Sequence, residues 1–302
     1  MVTDMYCPNH IYIENVAGIC TASCGMCPIE SSPRKGIMSY EAFEIIVSKL
    51  LPIKDHIKMV TFVGLGESLL DKHISEKILL LNESGFSGIG LVTNATALNE
   101  QVTKKLIDNG LDTIIISIDG IDANTHETIR PGTKFDSVVK NAENFIQYRN
   151  INGKTKVIIR MIKQELNSIQ TDDYFLNWNQ KLNKNHGDMI AFYDMFSDPV
   201  GENEQTELEI KQYSEIHRSI CDDIVSKFMI QIDGGVVLCC AGGYGVPIVG
   251  NIFENDLLEI YNNHAYEHRR QMMLEGRMGE LEHCKSCKIF ISKNNSQYIP
   301  VS

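Results

Sequence analysis

The sequence predicts an α/β protein: a partial (βα)6 barrel of the TIM-like kind, followed by a smaller C-terminal domain. Three observations carry this. Short β-rich runs alternate with helical patterns through the first two-thirds of the 302 residues, which implies a parallel sheet with right-handed crossovers. Six such units suit an open barrel better than a closed eight-stranded one. The alternation then stops at Ser197-Asp-Pro-Val-Gly-Glu-Asn-Glu-Gln205, a polar and turn-rich stretch, so residues 1–197 and 206–302 read as separate domains.

Each element follows from a local pattern. Ile11–Val16 alternates as a strand and leads into a cysteine-rich loop. Ser39 is placed to cap a helix reaching about Leu51, with Met38 and Phe43 at the flanking apolar positions. Lys58–Gly64, Gly88–Asn94, Thr113–Asp119, Lys156–Ile162 and Met189–Asp194 read as further strands. Between them, helices are expected at Asp71–Glu83, Asn99–Asn109, Phe135–Arg149 and Asp172–Leu182. In the C-terminal part, Phe228–Ile232 and Val236–Cys239 flank Asp233-Gly-Gly235, a β-hairpin signal. One helix is expected from about Leu257 to Leu274.

Composition narrows the function classes. Apolar residues make up 43% of the chain, ample for a sizeable core, and 22% are charged. A net charge of −11 argues against nucleic acid or an anionic membrane as the main partner. It is compatible with a cationic substrate, although an acidic surface ordinarily serves solubility. The N-terminus shows no basic stretch followed by an apolar one, and the longest apolar runs, Thr113–Ile118 and Lys156–Ile162, have strand length. A cytoplasmic protein is expected, and nine cysteines in such a chain point to metal binding or redox chemistry rather than disulfides.

The cysteines fall into two sets. Cys20-Thr-Ala-Ser-Cys24-Gly-Met-Cys27 places three thiols within eight residues. A zinc site would want a fourth ligand nearby, but the next cysteine is Cys221, and the nearest histidine, His10, lies before the first strand. Three thiolates without a fourth fit a 4Fe–4S cluster with one iron open to an exogenous ligand. Cys221, Cys239, Cys284 and Cys287 supply a second set of four, which suits either a zinc ion or a fully ligated cluster. Two cysteines remain, Cys7 and Cys240.

The C-x3-C-x2-C loop resembles the signature of the radical S-adenosylmethionine (SAM) enzymes. The later order of Cys221, hairpin, Cys239-Cys240, Gly250-Asn251-Ile252, helix and C-x2-C resembles the Twitch appendage of the SPASM/Twitch branch. The likeness runs from about Ile11 to Phe290. With fifteen residues after Cys287, one auxiliary cluster is expected. The resemblance implies two 4Fe–4S clusters and SAM as cofactors, and a flavodoxin- or ferredoxin-type electron donor. It places Val63-Gly64-Leu65-Gly66-Glu67 at the turn that holds the SAM amino group. Asn94, Ser117 and Arg160 fall where the family makes its ribose and carboxylate contacts. Met26 stands where the family has an aromatic residue stacked on adenine, and a thioether can still contact the ring.

What the resemblance implies about the reaction forks. Cys240, tethered beside ligand Cys239, can donate a hydrogen atom to the opposite face of a substrate radical, as in radical SAM epimerases. Oxidation of a secondary alcohol, as in compact Twitch dehydrogenases, is the alternative. The auxiliary cluster would then take the second electron, and a base such as Arg160 or a group near Tyr193-Asp194 the proton. The start of the cysteine loop at residue 20 leaves no space for a peptide-recognition domain ahead of it. This favours an aminoglycoside- or sugar-like natural product over a ribosomal peptide, which stays open. Asp119, Arg130, Tyr193 and Asp194, at or beyond strand ends, are candidate substrate contacts. A non-enzymatic iron–sulfur or zinc protein is the remaining alternative; it would hold metal without cleaving SAM.

Overall fold

The structure, a computed structural model, describes residues 5–195, 220–239, 246–285, 287 and 296–301. Among them a ten-stranded sheet organises the chain. Its strands are β1 (His10–Ile13), β4 (Met59–Phe62), β5 (Ile89–Thr93), β6 (Thr113–Ser117), β7 (Lys156–Lys163), β8 (Met189–Asp194), β9 (Lys227–Ile230), β10 (Gly235–Val237), β11 (Ile248–Asn251) and β12 (Gln297–Pro300). Their order is β11-β10-β9-β1-β4-β5-β6-β7-β8-β12. From β9 to β8 every pairing is parallel, while β10, β11 and β12 join antiparallel. The first and last strands do not pair with each other, so this is the open, partial barrel expected from the alternation. A small antiparallel pair, β2 (Val16–Ala17) with β3 (Gly36–Ile37), stands apart.

Helices α1 (Tyr40–Leu50), α2 (Ile74–Glu83), α3 (Glu100–Asp108), α5 (Phe135–Asn152) and α6 (Thr171–Asn179) occupy the predicted crossovers. Ser39 caps α1, its side chain accepting from the Ala42 N–H. A further helix, α4 (Ala123–Ile129), follows β6 where none was expected; the Asp122 side chain caps it by accepting from the Thr125 N–H. The predicted helix over Leu257–Leu274 is two helices, α8 (Leu257–Tyr261) and α9 (His264–Leu274), preceded by the short α7 (Asp222–Ser226). The break has a cause: Asn263 turns its side chain to the Ala265 and Tyr266 N–H groups and caps a new helix, a stronger role for Asn than an interior helical position. The expected boundary at Ser197–Gln205 lies outside the described residues. The segment after it is continuous with the sheet, since β9 pairs with β1 and β12 with β8.

The strands alternate in burial, which separates two faces. Ile11, Ile13, Val60, Phe62, Leu91, Ile114, Ile159 and Phe192 are buried, and helices cover this side: Phe43 of α1 meets Phe62, and Tyr174 of α6 meets Phe192. The alternate set, His10, Tyr12, Arg160, Tyr193 and Lys227, is half-buried and faces away from the helices. That concave side is polar and aromatic.

Candidate active site

The cysteine loop is fastened at both ends. Pairing of Val16 with Ile37 and Ala17 with Gly36 clasps its entry to its exit. Gly18 adopts a left-handed φ of 66°, and a Cβ there would stand 2.6 Å from the Arg34 carbonyl oxygen. The predicted glycine turn zips onto the loop: the Gly18 N–H donates to Leu65 O (2.6 Å) and the Glu67 N–H to Ile19 O (3.0 Å). Gly64 and Gly66 permit this approach, because a Cβ would strike the Glu14 side chain at the first and the Val16 carbonyl oxygen (2.5 Å) at the second. Close backbone approach, rather than an unusual φ, is what these glycines supply.

Cys20, Cys24 and Cys27 are half-buried, and burial pushes all three thiols up. Bound iron would offset that penalty by stabilising the thiolates. The loop and its neighbours present donors to the sulfurs. The Ala22 N–H (3.4 Å) and Asn94 Nδ2 (3.5 Å) reach Cys20 Sγ, and Arg130 Nη1 reaches Cys24 Sγ at 3.8 Å. Such N–H···S contacts fit thiolate ligands of an anionic cluster. Among the described residues, no three Cys, His, Asp or Glu side chains close on a single metal ion.

Glu67 is the hub of the neighbouring hydrogen-bond network. It is 3% exposed and accepts from the Leu69 N–H (3.1 Å), the Thr93 hydroxyl (2.5 Å) and the Asn94 N–H (2.8 Å). Burial raises its pKa against these donors. Asn94 bridges onward, its Nδ2 also donating to Thr21 Oγ1 at 3.0 Å. The turn that aims it includes Ala95 at a φ of 60°, uncommon without glycine; Thr93 Oγ1 and Asn141 Nδ2 hold Ala95 from both sides. Ser117 and Arg160 are register partners on β6 and β7. Arg160 Nη2 donates to Ser117 Oγ at 2.7 Å, and its guanidinium lies 5.5 Å from the Tyr193 ring centroid. Its Nε is buried without a partner, an orphan donor suited to a carboxylate. Met26 accepts from Gln164 Nε2 at 3.4 Å, which ties the cysteine loop to the end of β7. Glu67, Asn94 and Met26 are thus tied to the cysteine loop or belong to it, while Ser117 and Arg160 pair with each other on the neighbouring strands.

The four candidate substrate residues divide. Asp119 is fully buried, with Oδ2 accepting from Arg130 Nε (2.7 Å) and Oδ1 from the Ile162 N–H (2.8 Å). Arg130, 7% exposed, stands between Asp119 and Cys24. Both are thus committed to the protein around the cysteine loop. Tyr193 faces the concave side against Tyr298 of β12, ring centroids 5.6 Å apart, and Asp194 pairs with Lys163 at 2.8 Å. Cys240 lies outside the described residues.

Sequence reasoning missed the wall contributed by β1 and β9. His10 Nε2 meets Thr61 Oγ1 at 2.9 Å, and the Lys227 ammonium lies 5.8 Å from the Tyr12 ring and 2.7 Å from Asp223. The polar member of each alternating pair in His10-Ile-Tyr-Ile13 was the available signal. Also missed was buried His126 of α4, whose Nδ1 accepts from the Asp119 N–H at 3.1 Å. Burial, reinforced by the Arg130 charge, lowers its pKa to about 4.

Cys221 and Cys239 of the second cysteine set lie toward the other end of the strands. Cys221 precedes α7, which runs into Lys227, the register partner of His10 at the amino end of β1. Strand β10 runs back from the carboxyl end until Val237 is opposite Met229, and Cys239 lies two residues further on. Cys221, Cys239, Cys284 and Cys287 are half-buried and pack against the core. Burial, then the neighbouring Cys287, pushes the Cys284 thiol up to about 11.

Comparison with known proteins extends this picture. Residues 15–169 match the Radical SAM superfamily, and residues 221–288 match SPASM, an iron–sulfur cluster-binding domain. Among solved structures, BtrN in complex with AdoMet and 2-DOIA superposes with a TM-score of 0.60 at 17% identity, covering 93% of each chain. Native anSMEcpe with bound AdoMet gives 0.65 at 19% identity, over 93% of this chain and 88% of that one. SuiB of Streptococcus suis bound to precursor peptide SuiA gives 0.63 at 16% identity, over 94% and 70%. Two curated relatives match shorter stretches. A tungsten-containing aldehyde ferredoxin oxidoreductase cofactor-modifying protein of Pyrococcus furiosus is 27% identical over 36% of this chain and 30% of its own. An uncharacterised protein of Methanocaldococcus jannaschii is 28% identical over 48% and 47%. The chain thus spans less than half the length of either.

Proposed function

The chain belongs to the radical SAM superfamily and carries a second, cluster-binding domain, and from that premise we propose that it is an epimerase of an aminoglycoside- or sugar-like molecule with Cys240 as hydrogen-atom donor. The cofactors that go with these domains are SAM and two 4Fe–4S clusters, with Cys20, Cys24 and Cys27 holding the first and Cys221, Cys239, Cys284 and Cys287 the second. SAM bound at the first cluster supplies a 5′-deoxyadenosyl radical that removes hydrogen from an unactivated carbon. The chain's own residues would do the rest: Glu67, Asn94, Ser117 and Arg160 would orient SAM, and Met26 would contact its adenine.

The observation that carries the reading is that Cys221 and Cys239 lie toward the opposite end of the strands from the loop of Cys20, Cys24 and Cys27. A carbon held on the concave side would have the SAM site at one end and Cys239, the sequence neighbour of Cys240, toward the other. Inversion requires that geometry, since hydrogen must leave one face and return to the opposite one. The Cys240 S–H bond breaks as the new C–H bond forms, and the sulfur radical is restored by one electron from a flavodoxin- or ferredoxin-type donor and one proton from solvent. His10, Tyr12, Lys227, Tyr193 and Tyr298 offer ring faces and hydrogen-bonding groups suited to a polyhydroxylated ring. The acidic net charge accords with an aminated substrate, and the reaction belongs in the cytoplasm.

A second reading is oxidation of a secondary alcohol, in which the second cluster would take the second electron. One anaerobic experiment separates them: turnover in deuterated water with SAM, reductant and a panel of aminoglycosides and short peptides. A gain of one mass unit at one carbon, abolished in Cys240→Ala while 5′-deoxyadenosine still forms, is the expected result. A loss of two mass units establishes dehydrogenation instead, and a change confined to the peptides overturns the substrate class.

A further inference from the structure

Arg130 is held unusually firmly for a residue on a connecting segment. Its Nε is clamped by Asp119 (2.7 Å), which is itself fixed by the Ile162 N–H of β7. Its backbone N–H closes α4 on His126 O (2.8 Å), and His126 in turn takes the Asp119 N–H. The next two residues grip the cysteine loop directly. The Ser23 N–H donates to Pro131 O at 2.8 Å, and Gly132, at a φ of 92°, lies so close that a Cβ would stand 2.5 Å from Thr21 O. Left-handed φ and close approach coincide there, which only glycine tolerates. The guanidinium is thereby registered to the loop from two sides, with Nη1 directed at Cys24 Sγ.

A buried ion pair is a poor source of net stability, because desolvation offsets most of the attraction. This one, half of it turned toward a sulfur, is better explained by what it does to that sulfur.

We propose that Arg130 is a positioning residue for the SAM-binding cluster, donating a hydrogen bond to ligand Cys24 and raising the cluster's reduction potential, with Asp119 and the Pro131–Gly132 turn holding it in register. Reduction adds negative charge to the cluster, and a fixed donor and positive charge beside one ligand favour the reduced form. The inference concerns the cofactor alone and does not depend on which substrate or reaction is correct.

The test is a redox titration of the reconstituted full-length protein followed by electron paramagnetic resonance (EPR). The SAM-binding cluster is recognised as the signal that changes when SAM is added. In Arg130→Gln the midpoint is expected to move negative, so that the reduced-to-oxidised ratio at fixed potential falls about tenfold, ~59 mV for a one-electron couple. Arg130→Lys, which keeps a positive charge but loses the forked donor that reaches both Asp119 and Cys24, is expected to move it part of the way. Lys134→Gln removes an exposed positive charge paired with Glu127 and is expected to leave the midpoint in place. An unshifted midpoint in a cluster-loaded Arg130→Gln protein overturns the proposal. Should that variant fail to load iron, Arg130→Lys decides by the same criterion.

Discussion

Two buried arginine–aspartate pairs stand at opposite ends of the same sheet, and they are built differently. Arg149 of α5 and Asp188 at the start of β8 are both fully buried and joined by two parallel bonds, Nη1 to Oδ1 at 2.8 Å and Nη2 to Oδ2 at 2.6 Å. Asp188 also accepts the Val157 and Asn183 N–H groups, and Arg149 Nη1 also donates to Thr155 O. This cluster turns inward and ties the amino ends of β7 and β8 to a helix. Arg130 and Asp119 follow the carboxyl end of β6 and share a single bond from Nε, leaving Nη1 for Cys24. The chemistry is the same in both. One pair joins both terminal nitrogens of its fork to its partner and holds the fold; the other binds its partner through Nε alone and reaches Cys24 with Nη1. In parallel βα sheets the carboxyl ends carry chemistry and the amino ends carry stability, and the hydrogen-bond partners of the two arginines show that rule at the scale of single atoms.

The sharpest way to break the comparison is Asp188→Ala. It leaves a buried guanidinium uncompensated and strands two backbone donors. A loss of about 3–5 kcal/mol in urea unfolding is expected, with the EPR signal of the SAM-binding cluster unchanged in the folded fraction. A shifted cluster signal would show that the amino-end pair is not confined to stability.

His126 sharpens the same comparison through pH. Its pKa falls from the ordinary 6.5 to about 4, through burial first and the Arg130 charge second. Below about pH 6.5 the unfolded chain takes up a proton that the folded chain declines. The contribution is therefore complete above that pH and is lost progressively as pH falls toward about 4, amounting to ~3 kcal/mol in all. His126→Asn retains an acceptor for the Asp119 N–H without the titration. Anaerobic urea unfolding at several pH values is expected to show a flatter stability profile for the variant over that window. An unchanged slope would mean that the acid sensitivity arises elsewhere.

Much of this architecture was legible in the chain because its signals are local. Ser39, Asn99 and the apolar periods each act within a few residues, and they located the barrel's strands and helices. The cysteine spacings were legible for the same reason. Helix α4 was not, because Ala-Asn-Thr-His-Glu-Thr-Ile offers seven residues without a continuous apolar stripe and only Asp122 as a start signal. Strand β12 is a four-residue edge element whose partner, β8, ends about a hundred residues earlier, so pairing rather than pattern defines it. Asp119 and Arg130 were recognised as polar residues near a strand end, but their roles depend on a contact between residues 106 positions apart. Spacing cannot report such a contact, because a side chain's destination is set by the packing of elements that the pattern only enumerates.

The smallest expected effect tests whether position alone makes a residue part of the site. Ser39 lies on the same carboxyl-end face as the cysteine loop, one residue beyond Met38, whose N–H is bonded to Asn15 O. Its side chain has a purely local task, accepting the Ala42 N–H at 3.1 Å to cap α1. Ser39→Ala is expected to cost about 1 kcal/mol of stability and to leave the midpoint potential of the SAM-binding cluster where it was. If the potential moved as far as in Arg130→Gln, proximity to the carboxyl ends would govern the cluster, and the directed bond from Arg130 to Cys24 would lose its special standing. If only the unfolding curve moved, residues on one face would divide by where their donors and acceptors point, as the two arginines do.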